Sequence, residues 1–228
     1  MVTSLVIGGA SDGVGGLTAR RFAKRGDDVI VTSRDRGRAE SAAQEIGGRT
    51  RGLAVDLSQP HSLAASLDRV TEVDNVVITA MESVPVTLSD FDIDAAIRSV
   101  TIKLVGYAEA VRFLHGRFRP GAAVVLFGGG AKDRPYPGST MVTTFNAGLT
   151  GLIKTLAAEI APHRVNAVHP AIIGDSPKWR DADHPHASIT PIGRLVTMAE
   201  VADAIEFLLQ ATGVNAVDLN VDGGLSIR

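Results

Sequence analysis

Two kinds of hydrophobic pattern alternate along the chain. Short runs of apolar, mostly β-branched residues are typical of buried strands, and they occupy positions 5–7, 29–33, 51–55, 75–79, 122–127, 164–168 and 217–221. The intervening stretches are typical of helices: one begins at Leu17, a polar one ends at about Ile46, and others cover about 60–70, 90–115, 139–161 and 199–210. This alternation predicts an α/β fold in which a doubly wound parallel sheet carries helices on both faces.

The first predicted strand runs directly into a cluster of glycines that precedes a helix. A strand, a glycine turn and a helix place bare backbone N–H groups and a helix N-terminus beside a phosphate. A side chain at Gly9, Gly13 or Gly15 would hold such a ligand away or break the turn. We therefore predict that this turn binds the diphosphate of a dinucleotide through Gly9, Ser11, Asp12, Gly13, Val14 and Gly15.

The end of the second predicted strand indicates which dinucleotide is bound. An acid at this position would bind the ribose 2′-hydroxyl of NAD and repel a 2′-phosphate. The chain has Ser33 and Arg34 instead, and a hydroxyl and a guanidinium both suit a phosphate. Asp35 is predicted to cap the following helix. The residues favour NADP(H) over NAD(H), with a surface role for Arg34 as the alternative.

Composition excludes several classes of function. The chain has 228 residues, a formal net charge of −2 and no cysteine. The charge gives no electrostatic reason to expect a nucleic acid or an acidic membrane as partner, and the lack of cysteine excludes thiol catalysis and disulfides. No apolar run approaches the roughly 20 residues that span a bilayer, and no secretory leader is recognisable. We expect a cytoplasmic protein and a single domain covering residues 1–228.

Several motifs, in the right order, resemble those of the short-chain dehydrogenases/reductases. They are the glycine motif at 8–15, with Gly8 where that family usually has Thr, then Asp56-Leu57, and the segments 149–157, 164–170 and 221–224. The resemblance extends over essentially the whole chain. It implies a Rossmann fold with strand order 3-2-1-4-5-6-7, an NAD(P)-dependent oxidoreductase acting on a small molecule, and a homo-oligomer, dimeric or tetrameric.

The resemblance also implies further contacts to the cofactor. They are assigned to Asp56 and Leu57 at the adenine, to Thr79 and Ala80 near the adenosine ribose, and to Pro170 and Ile173 where strand six leads to the nicotinamide. Residues 174–191 have no clean periodicity, so we predict that they form a mobile lid over the substrate. Lys178 and Arg180 in this lid suit an apolar small molecule with an acidic end.

The positions that carry catalysis in this family hold other residues in this chain. The family uses a Ser, a Tyr, a Lys and an Asn, and the corresponding positions are Gly129, Val142, Asn146 and Lys103. Valine and glycine cannot donate a proton, so the usual mechanism cannot run from these positions. Lys103 and Asn146, which look like a partial exchange of two members, and Tyr136, on the loop after strand five, become the candidate catalytic residues.

Three interpretations remain open. In the first, hydride transfer continues with another proton relay. In the second, the fold performs a non-redox reaction, such as isomerisation, dehydration or cyclisation, with His169 as an acid or base. In the third, the protein is a catalytically inactive nucleotide-binding or assembly module. The pair His184 and His186 invites a metal hypothesis, but its spacing lacks matching ligands, and we expect no metal site.

Overall fold

A parallel sheet organises the computed structural model, which describes residues 1–9, 12–82, 87–181 and 184–227. Within those ranges the sheet has seven strands in the order β3-β2-β1-β4-β5-β6-β7, as the sequence predicts. The strands are β1 (Thr3–Ile7), β2 (Asp28–Ser33), β3 (Arg49–Ala54), β4 (Val73–Ile78), β5 (Phe118–Phe127), β6 (Arg164–Pro170) and β7 (Asp218–Val221).

Helices connect successive strands and cover both faces of the sheet. They are α1 (Val14–Arg25), α2 (Arg36–Ile46), α3 (Leu63–Leu67), α4 (Ile93–Val100), α5 (Tyr107–His115), α6 (Thr140–Glu159), α7 (His186–Ile189) and α8 (Met198–Gln210). In the described part of the chain, none of them combines the length and the apolar composition that crossing a bilayer requires.

The apolar strands are buried on both sides, which explains why they show no alternation of polar residues. Successive residues of β1 enter different cores: Leu5 and Ile7 pack into one, and Val6 into the other. β5 repeats the arrangement with Leu126 and Val125. The sheet therefore separates two hydrophobic cores, and only its ends are free to build a site.

Local hydrogen bonds set where several helices begin. The carboxylate of Asp35 accepts a hydrogen bond of 2.8 Å from the backbone N–H of Arg38, which confirms its predicted role as the cap of α2. Thr197 and Glu200 form a reciprocal capping box at the start of α8. Asp92 accepts from the N–H of Ala95 and so begins α4.

The helix predicted over residues 90–115 is divided in the structure. Because Asp92 is extended and caps α4, the helix begins at Ile93, and a π-helical turn over Thr101–Gly106 separates α4 from α5. Gly106 in this turn lies so close to the loop after β3 that a Cβ would be 2.4 Å from the Leu57 carbonyl oxygen. π-Helical turns are frequent at functional sites, and this one turns Lys103 towards the interior.

Two other predicted segments also differ in detail. The helix expected from Pro60 to about residue 70 is a 3₁₀ turn, Pro60–Ser62, followed by the short α3. The predicted lid contains the single helical turn α7, and Ile173 and Val196 on either side of it pair in a parallel β-bridge. Residues 182 and 183 of this segment lie outside the described ranges.

The packing of α2 on β3 makes a prediction about Gly52. A Cβ at this position would lie 2.4 Å from the backbone carbonyl of Ala39, so Gly52→Ala must push the helix away from the strand. We expect it to lower the free energy of unfolding by about 1–3 kcal/mol, measured by urea denaturation.

The control is Gly151→Ala on α6, where nothing lies within 4 Å of the new Cβ. Helix propensity should make this control neutral or more stable by up to about 1 kcal/mol. Equal stability of the two variants would contradict the packing argument.

Candidate active site

Two cavities lie side by side at the carboxyl ends of the strands. The first, of about 860 Å³, is bordered by the ends of β2, β3 and β4, and the second, of about 560 Å³, by the ends of β5 and β6. Gly9, Thr79 and Met81 line both, so the cavities form one cleft that passes the glycine turn. This edge is where open parallel sheets bind their ligands.

The glycine turn packs tightly against the end of β4. The hydroxyl of Thr79 donates a hydrogen bond of 2.8 Å to the carbonyl of Gly8. A Cβ at Gly15 would lie 2.4 Å from that carbonyl oxygen and 2.7 Å from the Thr79 hydroxyl. Gly9 has a φ of 60°, which L side chains rarely adopt. The protein's own contacts and backbone conformation therefore require glycine at positions 9 and 15, even without a ligand.

The other residues predicted for the glycine turn are placed differently. Gly13 and Val14 line the second cavity with Gly9 and Gly15. At Gly13 a Cβ would approach nothing closer than the Gly9 carbonyl at 3.9 Å, so only a ligand would exclude a side chain there. Asp12 is exposed and lies outside the lining of both cavities, and Ser11 lies outside the described residues.

The end of β2 contributes two guanidinium groups to the first cavity. Ser33 and Arg34, the residues predicted to bind a 2′-phosphate, line it, and Arg38 lines it too. The side chains of Arg34 and Arg38 form no ion pair with any carboxylate in the described ranges, whereas the neighbouring Arg36 pairs with Glu40 at 2.7 Å. Sequence reasoning missed Arg38, although its position four residues after Arg34 places it in the first turn of α2 and offered a signal.

The remaining wall of the first cavity comes from β3 and β4. Asp56, Leu57 and Ala80 line it, in agreement with where the sequence places them. The Asp56 carboxylate is held in position by Ser58, whose backbone N–H and hydroxyl donate hydrogen bonds of 2.9 and 2.7 Å to the same oxygen. One carboxylate oxygen of Asp56 is thereby fixed on the protein side of the cavity.

Lys103 lies behind the wall of the cleft and lines neither cavity. Its side chain is buried, and its Nζ donates to the Phe127 carbonyl at the end of β5 and to the Tyr107 hydroxyl at 3.2 Å. Tyr107 in turn donates to the Ala80 carbonyl at 2.8 Å. Burial lowers the pKa of Lys103 from 10.5 to about 7. Lys103 and Tyr107 therefore link the end of β4, which borders the first cavity, to the end of β5, which borders the second.

The second cavity contains the positions at which the family's catalytic groups are expected. Gly129, Val142 and Asn146 line it, together with Tyr136 at its mouth. Asn146 is only 3% exposed, and its Oδ1 has no hydrogen-bond partner among the described residues. A Cβ at Gly129 would lie 3.0 Å from the Asn146 Nδ2, so the amide fills space that a larger residue at 129 would need. Tyr136 is 57% exposed.

His169 holds the backbone behind the second cavity. Its Nδ1 accepts from the Gly129 N–H at 3.2 Å, so the neutral ring carries its proton on Nε2, which lies 2.5 Å from the Asp218 carboxylate. Burial lowers the pKa of His169 and outweighs the opposite effect of Asp218. The ring is fully buried with both nitrogens bonded, which is the arrangement of a structural histidine.

The lid segment contributes some of the residues that the sequence suggests, and others come from outside it. Pro170 and Ile173 line the second cavity as predicted, and Lys178 does too, but Arg180 does not. Arg134 lines it instead; sequence reasoning missed this residue, although it lies on the same loop after β5 as Tyr136. The Nδ1 atoms of His184 and His186 lie 3.1 Å apart, but in the described ranges no three His, Asp or Glu side chains converge on a point that could hold a metal ion.

Comparison with known proteins gives consistent matches over the whole chain. The family model described as enoyl-(acyl carrier protein) reductase matches residues 9–226. Carbonyl reductase family member 4 of Danio rerio is 26% identical over 233 residues, which cover 97% of this chain and 97% of that protein.

Solved structures are similar in fold as well. A short chain dehydrogenase/reductase family protein has 30% sequence identity and a TM-score of 0.88, over 100% of this chain and 98% of that one. The 3-ketoacyl-(acyl-carrier-protein) reductase from Brucella melitensis, solved in complex with NADH, has 28% identity and a TM-score of 0.86, over 99% of this chain and 98% of that one.

The buried Lys103 makes a prediction about stability and pH. Between about pH 7 and 10.5 the unfolded chain holds a proton on this amine that the folded chain has released, so the stability of the protein should rise with pH in this range. Lys103→Met removes this contribution. As the pH rises, the free energy of unfolding of the natural protein should increase relative to that of Lys103→Met by up to about 1.4 kcal/mol per pH unit.

Urea denaturation at several pH values from 7 to 9 would measure this slope. The exposed Lys154 on α6 provides the matched control, because Lys154→Met removes a lysine that remains in contact with water. The control should run parallel to the natural protein at every pH. If the unfolding free energy of Lys103→Met also varies with pH in parallel with that of the natural protein, the amine of Lys103 is not neutral in the folded protein.

Proposed function

The chain belongs to the short-chain dehydrogenase/reductase family of oxidoreductases, and we propose that it uses NADP(H) to interconvert a small carbonyl compound and its alcohol. The observation that carries the proposal is the pair Arg34 and Arg38 in the turn from β2 into α2, which form no ion pair with any described carboxylate and lie beside a cleft that continues past the ends of β5 and β6. The relatives named above support the reaction class, since their names describe carbonyl and ketoacyl reductases.

The cleft divides naturally into a part for each end of the dinucleotide. Asp56, Leu57 and Ala80 would hold the adenosine half, and Pro170 and Ile173 would border the nicotinamide half. The glycine turn between them offers backbone N–H groups to the diphosphate. The tight approach of Gly15 to Gly8 supports this assignment, because it brings the start of α1 to the edge of the cleft.

The preference for the phosphorylated dinucleotide rests on charge. Arg34 and Arg38 lie within reach of one ligand in the same cavity, with the hydroxyl of Ser33 beside them. A phosphate that accepts from a guanidinium gains a charge-assisted, often bidentate, pair of hydrogen bonds. Asp35 lines this cavity too, but its carboxylate already accepts from the N–H of Arg38 and so has a structural partner.

The proton must come from a group that the family does not normally use. NADPH, when bound, supplies the hydride, and the carbonyl oxygen still needs a proton. Tyr136 is the cavity-lining phenol, and we assign it the role of proton donor. Asn146 would accept from a ribose or substrate hydroxyl through its unpartnered Oδ1. Lys103 acts through the Phe127 carbonyl and is a positioning residue.

We also propose that the protein forms a homo-oligomer. Ile93 and Ile97 of α4 and Val105 of the following turn are exposed apolar side chains on the helical layer beside α6. A second copy of the chain would cover them, as expected for a symmetric oligomer of this family.

Cofactor preference gives the first test. Replacing Arg34 or Arg38 with alanine should weaken NADPH binding by roughly tenfold or more and leave NADH binding within about twofold, because only NADPH offers the 2′-phosphate. Fluorescence titration with each nucleotide measures both values. Arg36→Ala is the matched control, since Arg36 pairs with Glu40 outside the lining and should alter neither affinity. An unchanged preference in Arg34→Ala and Arg38→Ala would show that the 2′-phosphate is bound elsewhere, and failure to bind either nucleotide would refute the cofactor assignment.

Turnover gives the second test. Tyr136→Phe should lower kcat for ketone reduction by roughly 100-fold and leave the NADPH dissociation constant unchanged, because it removes the proton donor and nothing else. The loss of reduced-nicotinamide absorbance with a panel of ketones and quinones measures the rate. Full activity of this variant would rule out Tyr136 as donor. Tight NADPH binding by the natural protein with no oxidation by any compound would favour the non-redox or inactive alternatives.

A further inference from the structure

Within the described ranges, the arginines that line the cleft lack the carboxylate partners that most other arginines have. Nine of the described arginines form ion pairs with carboxylates. Arg34, Arg38 and Arg134 line the two cavities and form no ion pair with any described carboxylate. The first two are explained by the proposed 2′-phosphate. Arg134 borders the other cavity and needs a different explanation.

Arg134 is held in place but keeps most of its hydrogen-bonding capacity. It lies on the loop after β5, is half-buried, and donates from Nη1 to the Leu225 carbonyl at 2.8 Å. Its other N–H groups have no partner in the described part of the chain. A guanidinium anchored by one of its five donors is already oriented to bind a carboxylate or phosphate with the others.

A second cation faces the same space. Lys178 lines the second cavity, and its Nζ lies 4.7 Å from the ring centroid of Trp179. The acid in the lining of this cavity is Asp222, whose carboxylate accepts from the N–H groups of Gly224 and Ser226, each at 2.9 Å. These bonds occupy Asp222 within its own turn, so the cavity presents a surplus of positive charge.

The two ends of the cavity differ in character. Asn146 lies in a buried part, whereas Lys178 is exposed and Arg134 half-buried. Apolar side chains line the space as well, namely Phe127, Val142, Ile172, Trp179 and Leu225. A ligand that fills the cavity would therefore meet a neutral amide and apolar walls inside and two cations nearer to solvent.

We propose that the substrate is an oxo compound whose apolar body ends in an anionic group, a carboxylate or a phosphate, and that Arg134 and Lys178 bind this group. The apolar body then lies among the apolar walls, and the charge stays at the more exposed end. This inference rests on the proposed function of the same cleft and names the class of its substrate. Arg134 acts as a specificity-determining residue.

The test compares three ligands that differ only at the charged end. They are a straight-chain oxoheptanoate with its ketone next to the terminal methyl group, the methyl ester of this acid, and the oxoalkyl phosphonate of the same length. Trp179 is the single tryptophan of the chain and lines the cavity, so its fluorescence reports binding without turnover, both in the absence of cofactor and with NADP+, which carries no hydride to transfer. The carboxylate or the phosphonate should bind at least tenfold more tightly than the ester, and the tighter of the two identifies the anionic group.

Variants assign this preference to particular cations. Arg134→Gln should reduce the advantage of the anion to within about twofold, and Lys178→Gln should reduce it in part. Arg180→Gln is the matched control, because Arg180 lies on the same segment as Lys178 but outside the lining, and it should change nothing. NADPH affinity should be the same in all three variants.

Each contrary result has a separate meaning. Equal binding of the ester and the anions, or no binding of any anion, would overturn the proposal. A loss of NADPH affinity in Arg134→Gln as large as the loss of anion affinity would overturn it too, because Arg134 would then serve the cofactor. If the natural protein binds the anions but no NADPH, the proposed function fails and the anion site stands.

Discussion

The approach of α1 to the ends of β1 and β4 is the constraint on which the rest of the cleft depends. It exists because Gly15 has no Cβ: the space is occupied by the Gly8 carbonyl and the Thr79 hydroxyl, which are themselves hydrogen-bonded. This contact fixes the start of α1 between two cavities and leaves Gly9 and Thr79 in the lining of both. If the helix began farther from the sheet, the cavities would no longer meet along one edge.

The second constraint is the junction between β4 and β5, where a buried lysine fills the space. A buried amine without a carboxylate is costly, and it is tolerated when it can lose its proton and bond to neutral oxygens. Lys103 has two such partners, the Phe127 carbonyl and the Tyr107 hydroxyl. The π-helical turn makes this possible, because it places a long side chain where a regular helix would continue to follow the sheet surface.

The sequence predicts those features of the fold and the site that depend on neighbouring residues, and it misses those that depend on contacts between distant parts of the chain. The strands and their order follow from apolar runs and motifs, and Asp35 could be recognised as a cap from its place before a helix. Arg34 could be assigned a cofactor contact because it directly follows β2, and Asp56 because it matches a motif of the family. Lys103 could be recognised as unusual but not as buried, since its surroundings come from β4 and β5. Arg134 was missed although its loop was expected at the site, because its contact with the Leu225 carbonyl arises only in the tertiary fold.

The contact between Gly129 and Asn146 has a consequence for how such a site can change over generations. A side chain at 129 would start only 3.0 Å from the Asn146 amide, which must then move. A serine at 129 therefore requires the Asn146 side chain to shift by a few tenths of an ångström, so the two positions are coupled. A change at one of these positions thus depends on the residue that occupies the other.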